Sequence, residues 1–257
     1  MEPELARVIG HLSRARSVLF VTGAGISAES GIPTYRGIGG LYEGKTAEDG
    51  VPIEVALSGS MFRHQPERTW KHLHDIERAC RGAVFNRAHE ILAQLEGCFE
   101  RCWVLTQNVD GFHRTAGSKN VIDIHGDIHE LRCTRCDFAE RVADYAHLPP
   151  CPSCPRCGAV VRPDVVLFEE LLPPTKVALM EQELMRGFDL VFSIGTSSLF
   201  PYITAPVLQA ARRQRPTVEI NPGRTSLSEY VDVRLEVGAV AACEALWAAR
   251  GQWERRG

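Results

Sequence analysis

Four thiols in this sequence are spaced to hold one metal ion. Cys133-Thr-Arg-Cys136 and Cys154-Pro-Arg-Cys157 are two Cys-x-x-Cys hooks separated by 17 residues. A hook of this kind presents two thiolates from a tight turn, and two hooks close a tetrahedral Cys₄ site. Four protein ligands leave no open coordination position. The implied zinc is therefore structural, holding a segment too small to fold on a core of its own. Cys151 offers a competing partner for Cys154, and spacing leaves that choice open. A second constellation is Gly23-Ala24-Gly25, directly after the apolar run Ser17-Val-Leu-Phe-Val-Thr22. A glycine turn leaving a buried strand lets backbone N–H groups approach a phosphate and opens a nucleotide-binding α/β unit.

Strands and helices must position these groups. Residues 17–22, 102–106, 190–194 and 217–220 read as buried strands, and helical patterns run over 87–95, 176–185, 205–213 and 240–249. Leu5, Val8, Ile9 and Leu12 predict an amphipathic helix over 5–16. Apolar strands alternating with helices predict an α/β fold with a parallel sheet covered on both faces. Two stretches break the rhythm. Residues 37–82 are Gly-rich, then helical around 66–79, and 128–160 hold the cysteine cluster with a Pro-rich run that excludes ordinary helix. The expected division is a large domain from 1–36, 83–127 and 161–257, and a small lobe from 37–82 and 128–160.

Composition excludes several classes. The 257 residues carry a formal charge of −3, so no basic field recruits nucleic acid or an anionic membrane. Arg132, Arg135, Arg141 and Arg156 surround the hooks, but Phe138 and Tyr145 alone make no stacking platform for single strands. Hydrophobic residues at 44% and charged residues at 24% are globular values. The apolar stretches are too short for a bilayer core of about 30 Å. The acidic Met1-Glu2-Pro3-Glu4 is no signal peptide, and nine cysteines, an odd number, argue for reduced thiols. A soluble, cytoplasmic, monomeric protein is expected.

The fourteen residues Gly23-Ala-Gly-Ile-Ser-Ala-Glu-Ser-Gly-Ile-Pro-Thr-Tyr-Arg36 resemble the first signature of the sirtuins, NAD-dependent protein-lysine deacylases. Thr106-Gln-Asn-Val-Asp-Gly-Phe-His-Arg-Thr-Ala-Gly117 resembles their second signature, and Ile124-His125-Gly126 the histidine element after it. The Cys₄ spacing, Arg162-Pro-Asp-Val-Val-Leu-Phe168, Gly195-Thr196-Ser197 and Asn221 continue the likeness in family order, from about residue 17 to 240.

The resemblance implies a Rossmann-like large domain and a small lobe with a helical insertion and a zinc ribbon, NAD and acyl-lysine meeting in the cleft between them. It implies that the acyl-lysine carbonyl oxygen captures the ribose carbon as nicotinamide leaves. His125 is the implied general base on the ribose hydroxyls, a task that suits an imidazole titrating near neutrality. Lysine, nicotinamide and 2′-O-acyl-ADP-ribose are the implied products. Asn108, which would bond the ribose or a water, and Asp110, which would hold the nicotinamide amide, complete the implied catalytic set. The implied NAD contacts are Gly23, Ala24, Gly25 and Ser27 in the first signature, with Gln107 on the ribose beside Asn108, Val109 and Asp110 in the second. Tyr35, where the family usually has Phe, and Arg36 would cover the cofactor. Gly195, Thr196, Ser197, Asn221 and Ala239 would hold its adenosine half.

Acyl-lysine proteins or peptides are the implied partners, bound by strand addition along Val165, Val166 and Phe168. Desuccinylating relatives carry a Tyr and an Arg three residues apart, and the equivalent positions here are Leu73 and Ile76. Neither can bond a carboxylate, so neutral acyl groups are expected unless an offset helix brings in Arg78, His72 or His74. Glu169 stands where the family usually has a glycine able to take positive φ. The same motifs would also serve a mono-ADP-ribosyltransferase or NAD glycohydrolase. A zinc-ribbon interaction module leaves the second signature unexplained.

Overall fold

The computed structural model of the protein describes residues 2–32 and 50–254. In chain order its strands are β1 (Ser17–Thr22), β2 (Arg101–Thr106), β3 (Val121–Asp123), β4 (Gly126–Cys133), β5 (Ala139–Arg141), β6 (Val161–Val165), β7 (Leu190–Ile194), β8 (Thr217–Ile220) and β9 (Val233–Leu235). Six of them form one parallel sheet in the order β3-β2-β1-β7-β8-β9. Its central strands are buried on both faces, so they read as continuous apolar runs rather than alternating ones. Leu12, Ile91, Leu92 and Cys243, from helices Glu2–Leu12, Arg87–Leu95 and Ala239–Ala248, pack on Phe20 and Phe192 at one face. Met180, Ile203 and Val207, from Pro174–Arg186 and Pro201–Arg212, pack on Leu19, Val21 and Val191 at the other.

Two expectations shift. The first helix ends at Leu12, not at residue 16, where backbone bonds from Arg14 and Ala15 to His11 turn the chain into β1. The edge strands β3 and β9 have three residues each, too few to show a period.

The second sheet is antiparallel, in the order β5-β4-β6. Helix Pro66–Cys80, started by a proline in its first turn, lays Trp70, Leu73 and Ile76 against it. Trp70 Nε1 donates to the Val161 carbonyl at 2.8 Å and locks the two together. Strand β6 lies beyond the expected 160/161 boundary yet pairs with β4 in this sheet. Gly126 opens β4 at φ 94°, and a Cβ there would overlap the Asp164 carbonyl oxygen. Only glycine lets the chain after His125 cross onto β6. Among the described residues no helix is long and apolar enough to cross a membrane.

His89 and His113 lie with ring centroids 4.9 Å apart between the sheet and the first signature. Burial pushes His89 down to about 4 and His113 well below its ordinary 6.5. Both stay neutral when folded, so the unfolded chain binds more protons and stability falls as pH drops from about 6.5 toward 4. The expected loss at pH 5 is on the order of 2 kcal/mol for His89. Asp110, whose carboxyl burial raises, opposes this. Thermal unfolding should show a clearly lower Tm at pH 5 than at pH 7.5, and an unchanged Tm would contradict neutral buried imidazoles.

Candidate active site

The chain leaves β1 toward β2 and β7 toward β8, in opposite directions along the sheet. The turns after these neighbouring strands diverge and open a crevice at the sheet's carboxyl edge, the usual nucleotide position in such folds. A cavity of about 920 Å³ fills the crevice and continues to the second sheet. Gly23, Ala24 and Gly25 line it from the β1 turn, and Gly195, Thr196 and Ser197 from the β7 turn. Gln107, Asn108, Val109, His125, Asn221 and Ala239 face the same space. Tyr35 and Arg36 lie outside the described residues.

The glycines act differently from the expectation. Gly23 N–H donates to the Ile194 carbonyl at 3.1 Å and Gly25 N–H to the Gly195 carbonyl at 2.7 Å, so neither is available to a phosphate. A Cβ on Gly25 would sit 2.6 Å from Gly195 Cα, so the glycines exist to let the two turns touch. The backbone N–H groups of Ala24, Thr196 and Ser197 have no partner among the described residues, and these fit an anionic dinucleotide. Asn86 caps helix Arg87–Leu95 and donates to the Ile26 carbonyl at 2.7 Å, fixing the first signature against that helix.

His125 is held from two sides. Its Nδ1 lies 3.0 Å from the Gln107 carbonyl, which only accepts, so the neutral ring carries its proton there and leaves Nε2 as a base. Tyr202 donates its hydroxyl to Nε2 at 2.6 Å and stacks on Phe200, and both rings meet His125 edge-on. Burial lowers the imidazole below its ordinary range, and Lys176, itself paired with Asp123 at 3.1 Å, adds to this. Tyr202 has no counterpart in the sequence reading. It approaches His125 from 77 residues away, at the start of a helix, with no motif to announce it.

Gln107 Nε2 donates to Thr196 Oγ1 at 2.8 Å, stitching the second signature to the β7 turn. Asn108 donates to the Gly23 carbonyl at 3.2 Å and to Ser27 Oγ at 3.1 Å, which leaves its side-chain oxygen for a ligand. Asp110 and Ser27 are not part of the cavity lining. Ser27 Oγ donates to Asp110 Oδ2 at 2.8 Å, Phe112 N–H donates to Oδ1 at 3.0 Å, and burial raises the carboxyl. The pair adjoins the cavity through Asn108.

On the other side, Leu73 and Ile76 meet Leu57, Ile128, Val165 and Leu167 to make an apolar wall. Arg78, His72 and His74 do not reach it, and Arg224, beside Asn221, is the single Lys or Arg in the lining among the described residues. Val166 and Phe168 line the cavity, but pairing along the whole segment is ruled out. Phe168 N–H donates to the Leu57 carbonyl at 3.0 Å, and its own carbonyl accepts from Gly59 at 2.8 Å.

The four expected thiols converge. Cys133 and Cys157 sulfurs lie 3.4 Å apart, Cys136 and Cys154 sulfurs 3.6 Å apart, and all four fall within 4.8 Å of one another. Tetrahedral zinc with Zn–S of about 2.3 Å needs sulfurs roughly 3.8 Å apart. Backbone N–H groups of Arg135 and Cys136 point at Cys133 Sγ, and that of Arg156 at Cys154 Sγ, an environment suited to thiolates. Cys151 is outside the cluster, which decides the open pairing for Cys157.

A parallel sheet with a crevice at its carboxyl edge, a histidine in the lining of that crevice and a Cys₄ cluster defines a class, and comparison with known proteins supplies the family. The Sir2 family model matches residues 23–200. NAD-dependent protein deacylase 2 of Pseudomonas aeruginosa is 48% identical over 234 residues, covering 90% of this chain and 91% of its own length. A Sir2 homologue solved with 2′-O-acetyl ADP ribose has a TM-score of 0.85 at 34% identity, covering 97% of this chain and 98% of its own. Sir2 solved with a p53 peptide and NAD⁺ has a TM-score of 0.82 at 28% identity, covering 96% of this chain and 98% of its own. The chain belongs to the Sir2 family.

Proposed function

We infer that this protein is an NAD-dependent protein-lysine deacylase that takes neutral acyl groups and carries a structural zinc. The observation that supports it best is His125 in the cavity lining, its proton fixed at Nδ1 by the Gln107 carbonyl and its Nε2 lone pair accepting from Tyr202, which lines the same cavity. Bound NAD would supply the electrophile, a ribose carbon that can bond to an amide oxygen as nicotinamide leaves. The Ala24, Thr196 and Ser197 N–H groups hold the dinucleotide, while Asn221 and Ala239 border its adenosine half. Asn108 orients the ribose or a water through its side-chain oxygen. With the Tyr202 hydroxyl displaced by the ribose, His125 takes the ribose proton at Nε2, and Asp110 fixes Asn108 through the Ser27 hydroxyl. Leu73 and Ile76, 3% and 9% exposed, exclude water from the acyl chain and present nothing to a carboxylate.

The parallel sheet with its two turns forms the cofactor domain, and the helix Pro66–Cys80 with the small sheet forms the acyl lobe. All these groups come from one chain, so a monomer suffices, and nine cysteines outside any disulfide, four of them on zinc, suit a reducing, cytoplasmic setting. Mass spectrometry of a peptide carrying acetyl, butyryl, malonyl or succinyl lysine, with and without NAD, tests this. Stoichiometric nicotinamide and acyl-ADP-ribose are expected, with acetyl or butyryl removed at least about tenfold faster than succinyl, since the acyl carboxylate would be buried unpaired. Equal rates would refute the neutral-acyl assignment, and ADP-ribosylated protein or free ADP-ribose as the main product would refute deacylation.

A further inference from the structure

We propose that Glu169 is a cation subsite at the cleft mouth, selecting acyl-lysine peptides with Lys or Arg beside the modified residue. This rests on the deacylase reading and names its substrate class. Glu169 is exposed, lines the cavity and has φ 67°, a left-handed conformation that residues other than glycine rarely adopt. Backbone strain of this kind persists where a neighbouring structure enforces it and is concentrated at functional sites. Here the flanking backbone is held by Phe168, bonded to Leu57 and Gly59, and by Glu170 N–H, bonded to the Leu167 carbonyl, and the side chain is held as well. Ser60 Oγ donates to Glu169 Oε2 at 2.6 Å. Ser60 is fixed in turn within helix Gly59–His64, 3.0 Å from the capping Ser58 hydroxyl.

The charge so held is the unbalanced one. Glu170 accepts from Arg162 at 2.6 and 2.9 Å, and Asp164 pairs with Arg132 at 2.9 Å. Glu169 has no ion pair among the described residues, so of the three carboxylates on this segment it alone is open to a cation. The backbone points the same way. Phe168 N–H and C=O are committed to Leu57 and Gly59, whereas those of Glu169, and the Val166 carbonyl, have no partner among the described residues. A peptide strand paired at these groups carries the neighbours of its acyl-lysine past the carboxylate. The attraction is solvent-exposed, so it acts as a selectivity term that salt screens.

The test uses two acetyl-lysine peptides identical except for Lys or Gln at the flanking positions. Both kcat/KM and the Kd from fluorescence anisotropy are read for each. The wild type is expected to favour the Lys-flanked peptide about three- to fivefold, and this ratio should shrink as salt rises from about 50 to about 300 mM. Glu169→Gln and Glu169→Gly should both bring the ratio to one. The glycine variant relieves the backbone while removing the charge, so a loss common to both belongs to the carboxylate. A ratio unchanged in both variants overturns the proposal. If no peptide is deacylated at all, the deacylase reading fails, and the Kd ratio still decides the subsite.

Discussion

His125→Ala is expected to lower kcat for peptide deacylation by about 10²- to 10⁴-fold, the usual contribution of a positioned general base. Fold and zinc content should be unchanged. The reason is local. The His125 side chain makes its bonds to the Gln107 carbonyl and to Tyr202, both at the cavity, whereas its backbone carbonyl accepts from Val166 at 2.9 Å and survives the substitution. The cofactor turns are joined without it, through Gln107 and Thr196, so the affinity for NAD measured by calorimetry should change by less than about tenfold. The pH dependence adds a second check. A general base works unprotonated, and burial, the largest influence, holds this imidazole below 6.5. The acidic limb of kcat/KM should therefore fall below pH 6.5, with His125 almost wholly in its working form at pH 7.5. A limb well above 6.5, or a variant retaining a tenth of the activity, would place the base elsewhere.

What the sequence disclosed follows from burial. Strands β1, β7 and β8 are covered on both faces, and an uninterrupted apolar run between turn residues is legible without any partner. The Cys₄ site is legible because its ligands sit in two short hooks whose spacing is the geometry. Groups whose meaning depends on distant contacts stayed hidden. The glycines of the first signature looked like phosphate donors, but the turns beyond β1 and β7 bring Gly25 against Gly195, and the N–H groups close that contact instead. Phe168 looked like a free strand edge because nothing in residues 57–59 announces a strand, yet that segment pairs with it. Tyr202 reaches His125 only through the placement of helix Pro201–Arg212 on the sheet.

Removing the metal should have the other large effect, although no thiol of the Cys₄ cluster lines the cavity. One zinc per chain is expected by elemental analysis. Cys154→Ser should abolish stoichiometric zinc, while Cys151→Ser should retain it. Structural zinc contributes roughly 10 kcal/mol or more to folding in small zinc domains. Cys133 and Cys154 belong to the same buried cluster as Trp70, Leu131, Tyr145 and Val161. Trp70 anchors helix Pro66–Cys80 to Val161, and that helix carries Leu73 and Ile76. Freeing the hooks is expected to loosen the small sheet, then the helix, then the apolar wall of the cavity that Leu73 and Ile76 form. The six-stranded sheet has its own two cores on either face and should remain folded. Cys154→Ser or prolonged chelation is thus expected to lower deacylation more than tenfold while leaving much of the far-ultraviolet circular dichroism, with early loss of protection for amides of β4 and β6 in hydrogen exchange. Unchanged activity and protection in a zinc-free protein would show that packing alone holds the acyl wall.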